Sequence, residues 1–119
     1  GILAVLLTLL PCPACSRVEL HVHLDGMVDG EILLEVAQAR NMSLPGIGGV
    51  PTTVDEIDAM VNSKSAFERF DVVNDIMGGS VDSAYRVGLW LAKRQAAYGV
   101  SYSEVRYDPR RMAKSSITN

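Results

Sequence analysis

Histidine and cysteine are scarce in this 119-residue sequence, with two of each. Cys12 and Cys15 form a lone C-x-x-C set between prolines. No second C-x-x-C follows, and no histidine beyond His21 and His23 of the strand motif is spare to complete a structural zinc site around the pair. The pair also lies outside any strand–helix–strand frame, so the two cysteines read as incidental rather than redox-active. Basic charge is thin as well: 11 Lys and Arg stand against 14 Asp and Glu, a formal net charge of −3. A nucleic-acid surface needs a basic stripe, and none is present. Runs of like charge are too short for an acidic tail or a polybasic membrane anchor. Long apolar runs are missing too. The uncharged stretch at residues 2–10 is too short to span a bilayer.

That stretch has the length of a signal-peptide h-region, yet neither an initiating Met nor a basic n-region precedes it. Two readings of residues 1–15 stand level, a signal-peptide-like leader and an artefactual start. From residue 16 onward the composition is that of an ordinary globular domain. At 119 residues the chain suits one small domain and is too short for a large enzyme barrel.

Residues 17–24, RVELHVHL, alternate as a strand, with Val18, Leu20, Val22 and Leu24 on one face and Glu19, His21 and His23 on the other. After a turn at GMVDG, residues 30–40 carry Ile32, Leu33, Val36 and Ala37 at helical spacing, and Asn41 is the expected stop. A loop, LPGIGGVP, comes next. Two capping boxes follow, Thr53 with Glu56 and Ser65 with Glu68. Ser80 is placed to cap a long helix running to about Tyr98, with Val81, Ala84, Gly88, Leu91 and Ala92 as its apolar stripe and Gly99 at its end. Residues 100–107, VSYSEVRY, read as a second strand. The order strand, helices, strand predicts a parallel α/β unit. Two strands do not make a stable parallel sheet, so the pattern reads as the opening of a larger fold.

The chemistry concentrates in ELHVHLDG, residues 19–26. Residues i and i+2 of a strand point the same way, so His21 and His23 can converge on one metal ion. Asp25 shares their parity just past the strand end, and Gly26 would ease a tight turn there. The plain alternative is a chance H-x-H of surface or hydrogen-bonded histidines. The parity with Asp25, the apolar opposite face and the strand-end position favour a metal pair. Two ligands fall short of a catalytic zinc site, which has three protein ligands and a water.

RVELHVHLDG resembles the first-strand signature of the adenosine deaminases, members of the metal-dependent amidohydrolase barrels. YGVSYSEVRYDPRRMA is similar to that family's second-strand segment, and SAFERFD resembles its helix over the purine pocket. The likeness covers about residues 17–113. It implies that residues 16–119 are the N-terminal part of an adenosine deaminase catalytic barrel, the first β-α units of a TIM (β/α)8 fold. It further implies Zn2+ as cofactor, held by His21 and His23, with His23 also near the substrate. Asp25 would hydrogen-bond the ribose. Phe67 and Phe70 would line a hydrophobic lid over the purine, core packing being the alternative for both. Glu104 and Arg106 share a strand face and are expected to form a structural ion pair beneath the site. The implied reaction is hydrolytic deamination of adenosine and 2′-deoxyadenosine to inosine, with release of ammonia. The partner is thus a small purine nucleoside, with neither nucleic acid nor membrane expected. The remaining zinc ligands and the proton-shuttling glutamate belong to later strands of the family, so no catalytic residue is assigned in this chain and activity of the chain alone is not expected. A sibling enzyme acting on adenine or a modified AMP, or a non-catalytic truncated product, are the competing readings. The strand motif favours a cytoplasmic location, and secretion is the alternative should residues 1–15 be a truncated signal peptide.

Overall fold

Capping chemistry sets most of the helix boundaries. In the computed structural model, residues 2–6 and 17–113 are described. The strands are β1 (Ile2–Leu6), β2 (Arg17–His23) and β3 (Val100–Arg106). The helices are α1 (Leu24–Met27), α2 (Gly30–Ala39), α3 (Val54–Asn62), α4 (Ala66–Met77), α5 (Val81–Ala97) and α6 (Pro109–Ala113). Asp29 caps α2, its carboxylate accepting the Ile32 N–H at 3.3 Å. The helix closes as the sequence predicts. Asn41 takes φ of 51°, and the N–H groups of Asn41 and Met42 reach the carbonyls of Gln38 and Ala37, a left-handed cap that Asn tolerates. Thr53 and Glu56 form the expected reciprocal box on α3. On α4, Glu68 accepts from the Ser65 N–H at 2.9 Å. Ser80 caps α5 through the Ser83 N–H, and Gly99 follows α5 with φ of 75°.

The fold is mixed α/β. Its sheet has the order β1-β3-β2, with β2 and β3 parallel, Val22 opposite Val105 and His23 opposite Arg106. β1 lies antiparallel on the other edge of β3, Ile2 opposite Arg106 and Leu6 opposite Tyr102. Part of the apolar leader segment is therefore paired in the sheet, while Cys12 and Cys15 lie outside the described residues. Among the described residues no helix is long and apolar enough to cross a membrane.

Two expectations about faces are corrected. Val22 and Leu24 are buried as the alternation predicts, but Val18 is 55% and Leu20 60% exposed. The ladder between β2 and β3 shifts register between Arg17 and Val18 and again between Glu19 and Val22, which interrupts strict alternation. The helical core reaches the sheet at Val105 and includes neither Val18 nor Leu20. On α5, Leu91 of the expected stripe is buried, but Ala84 and Ala92 are only half-buried, Val81 and Gly88 are exposed, and Ser83, Val87 and Gln95 are buried in their place. Gln95 belongs inside because its Nε2 donates to the Ser103 hydroxyl at 2.9 Å, a satisfied buried pair joining α5 to β3. Ala84, Gly88, Leu91 and Ala92 instead line a cavity of about 240 Å³, shared with Val105 and Met112.

The core gathers Ile32, Leu33, Val36 and Ala37 of α2, Ile57 and Met60 of α3, Val73, Ile76 and Met77 of α4, and Val87 and Leu91 of α5. Arg40 ties α2 to α4, its Nη1 donating to the carbonyls of Ile76 at 2.6 Å and Gly78 at 2.7 Å. Those carbonyls lie at the C-terminal end of α4, where a helix leaves acceptors unanswered.

Candidate metal and nucleoside site

β2 delivers both histidines to its C-terminal end, where the chain turns directly into α1. Their Nε2 atoms are 2.9 Å apart and the rings stack with centroids 5.0 Å apart. Both rings are exposed. At metal–nitrogen distances of about 2.0–2.1 Å, nitrogens 2.9 Å apart subtend about 90° at a shared ion. A tetrahedral angle would need them about 3.3 Å apart, a few tenths of an ångström of side-chain rotation. The spacing is compatible with two ligands of one zinc ion, and at 2.9 Å the two ring nitrogens also share a hydrogen bond with each other. Among the described residues, no group of three His, Cys, Asp or Glu side chains converges as a metal-ligand set.

Asp25 lies in the first turn of α1, so strand parity stops at His23 and does not orient it. Its orientation is set by a hydrogen bond from α4, where Asn74 Nδ2 donates to Asp25 Oδ2 at 3.0 Å. Gly26 is not demanded by the turn either. Its φ is not positive, and an added Cβ would sit 3.7 Å from the His23 Cβ and 3.9 Å from Phe70 Cε1, ordinary contact distances. Phe70 thus lies over α1, 39% exposed, and Phe67, one turn earlier on α4, is 85% exposed. Neither ring belongs to the core.

The expected Glu104–Arg106 ion pair does not form. The Tyr102 hydroxyl, two residues earlier on β3, donates to Glu104 at 3.0 Å. That bond, followed by slight burial and the carboxylate charge, pushes the Tyr102 phenol above its ordinary pKa. Arg106 faces His23 across the ladder, and its Nη1 is buried without a hydrogen-bond partner among the described residues.

α4 joins the two strand ends. Besides Asn74 on Asp25, its Asp71 pairs with Arg111 of α6. That contact above all, with the nearby charges of Asp108 and Asp25 adding to it, raises the Arg111 pKa. Asn74 is the residue the sequence reading missed. Its signal was a lone amide among Val73, Ile76 and Met77, four residues after Phe70.

Two histidines thus stand at the C-terminal end of a parallel strand, with a carboxylate two residues on that is held by Asn74. A sequence model of the family described as adenosine deaminase matches residues 16–119, and the chain belongs to that family. It is 32% identical over 107 residues to the adenosine deaminase of Gallus gallus, an alignment covering 85% of this chain and 29% of that protein. The adenosine deaminase of Mus musculus is 31% identical over 107 residues, with coverage of 85% and 29%. That of Bos taurus is 33% identical over 104 residues, with coverage of 85% and 28%. The chain therefore spans less than a third of the length of the curated relatives it matches.

Proposed function

We propose that residues 16–119 are the opening β-α units of a (β/α)8 barrel, with β2 and β3 as its first two strands. The barrel's reaction is hydrolytic deamination of adenosine and 2′-deoxyadenosine to inosine with release of ammonia. The observation that carries this reading is the 2.9 Å approach of the two Nε2 atoms at the C-terminal end of β2, the edge where α/β barrels build their active sites. His21 and His23 would hold zinc, and His23 would also border the substrate. Zinc bound there supplies the Lewis acidity that makes water nucleophilic near neutral pH. Asp25 accepts a hydrogen bond from a ribose hydroxyl. Phe67 and Phe70 offer their exposed rings as an apolar lid against the purine. Two imidazoles leave a catalytic zinc site one protein ligand short, and no proton shuttle is assigned, so the 119-residue chain alone is without deaminase activity.

The test replaces the matching segment of the Gallus gallus enzyme with residues 17–113 and follows turnover of adenosine, 2′-deoxyadenosine, adenine and AMP. The graft should deaminate the two nucleosides, and His21→Ala and His23→Ala should each abolish turnover. A His21→Ala graft as active as its parent would contradict the metal assignment. Preference for adenine or AMP would contradict the nucleoside assignment, and turnover by the chain alone would contradict its predicted inactivity.

A further inference from the structure

We propose that Asn74 is the positioning residue for Asp25, fixing the carboxylate that meets the sugar and, through the same nitrogen, the backbone beneath the Phe70 ring. The inference rests on the reading of Asp25 as the ribose contact. Asn74 is only 4% exposed, so its amide is removed from competing water. Its Nδ2 carries two N–H groups, and both are committed. One meets Asp25 Oδ2 at 3.0 Å, and the other meets the Phe70 carbonyl at 2.7 Å. Because both partners are acceptors, the flipped amide would set oxygen against two oxygens, so the arrangement has a single satisfied orientation. Asp25 has no strand ladder to orient it, since β2 ends at His23 and α1 is a single turn. A donor on a different helix, 49 residues away, does that work.

Two consequences follow for the nucleoside. With Oδ2 held by Asn74, the ribose hydroxyl is assigned to Oδ1. The Phe70 carbonyl bond ties the same amide to the turn of α4 whose ring lies over Gly26. Sugar and base contacts are therefore set by one side chain that touches neither.

The experiment uses the barrel graft with Asn74→Leu, which keeps the volume and removes both donors, alongside Asp25→Ala and the double variant. Substrates are adenosine and its 2′-, 3′- and 5′-deoxy analogues. Asn74→Leu should raise KM for adenosine by about tenfold, the scale of one hydrogen bond to a charged group, with kcat nearly unchanged. It should also lose the preference for adenosine over whichever analogue lacks the contacted hydroxyl. The double variant should be no worse than Asp25→Ala. Additive effects, or a fall in kcat at constant KM, would overturn the proposal. If Asp25→Ala raises KM and Asn74→Leu does not, the positioning role alone fails. If Asp25→Ala leaves KM and analogue preference unchanged, the ribose assignment itself fails. A second measurement does not depend on a folded Asn74 variant. In the 119-residue chain, Asp25→Ala should shift the Asn74 side-chain amide resonances and speed their exchange with water, and unchanged resonances would overturn the proposal.

Discussion

Replacing Gly78 with alanine should destabilise the chain, although Gly→Ala changes at positions whose φ suits alanine often do the reverse. Gly78 ends α4 with φ of −75°, a conformation alanine adopts without strain. On that ground alone the substitution would stabilise by about 0.4–1 kcal/mol, by narrowing the unfolded ensemble. The surroundings decide otherwise. A Cβ at Gly78 would lie 2.3 Å from the Arg111 carbonyl oxygen and 2.8 Å from that of Asn74. Both obstacles are backbone, so neither can rotate away. Relief requires α6 to retreat by about 1 Å to reach normal carbon–oxygen contact. That retreat would lengthen the Gly79 N–H bond to the Met112 carbonyl, now 2.9 Å, and draw Arg111 from Asp71. Overpacking of this kind costs about 1–3 kcal/mol, which outweighs the entropic gain. With a urea m-value of about 2 kcal/mol/M, the cost less the entropic gain should lower the midpoint by up to about 1.3 M. The assay is urea unfolding followed by the fluorescence of Trp90, the chain's single tryptophan. Gly88→Ala is the internal control. An added Cβ there meets nothing within 4 Å, so it should stabilise α5 by about 0.5–1 kcal/mol. A Gly78→Ala chain as stable as its parent would refute the steric argument.

Arg40→Met keeps much of the side chain's packing but leaves the Ile76 and Gly78 carbonyls without their shared donor. It should cost about 1–3 kcal/mol in the same urea assay. The Glu56 carboxyl is held below its ordinary pKa, first by the Thr52 backbone N–H and then by that of Thr53. A depressed folded-state pKa means its stabilisation is fully present above the ordinary glutamate value and is lost as pH falls through the lowered one. Amide protection in α3 should therefore fade on acidification, and Glu56→Gln should remove that part of the pH dependence when read by hydrogen exchange. The Ser65 hydroxyl, then the Ser65 N–H, lower the Glu68 pKa in the same sense, so α4 should follow with Glu68→Gln as its control.

What was legible in the sequence was local. The α2 stripe, the Thr53–Glu56 box and the Asn41 and Gly99 stops are each specified within one or two turns by side-chain size, capping oxygen or tolerance of positive φ. What escaped it depends on partners far along the chain. Hydropathy reads Ser83 and Gln95 as surface, yet both are buried, Gln95 because Ser103 answers its amide. Strand alternation failed at Val18 and Leu20 because register shifts are set by the β3 partner and not by β2 itself. The side-by-side placing of His21 and His23, with Nε2 atoms 2.9 Å apart, is what i, i+2 spacing allows. Local spacing does not give the support of Asp25, because Asn74 reaches it only once α4 has packed beside α1. Glu104 and Arg106 were well placed by parity, and Tyr102, on the same face, took the carboxylate instead.

If His21 and His23 are two ligands of one metal ion, a zinc titration of the 119-residue chain followed by their ring resonances should show it. Complete structural zinc sites bind with about 10–16 kcal/mol. Half a ligand set should retain about half of that, a Kd of about 1 μM or weaker. Both rings should respond together on one isotherm, and His21→Ala or His23→Ala should remove it. Submicromolar binding, or a titration of His23 that survives His21→Ala, would contradict the claim.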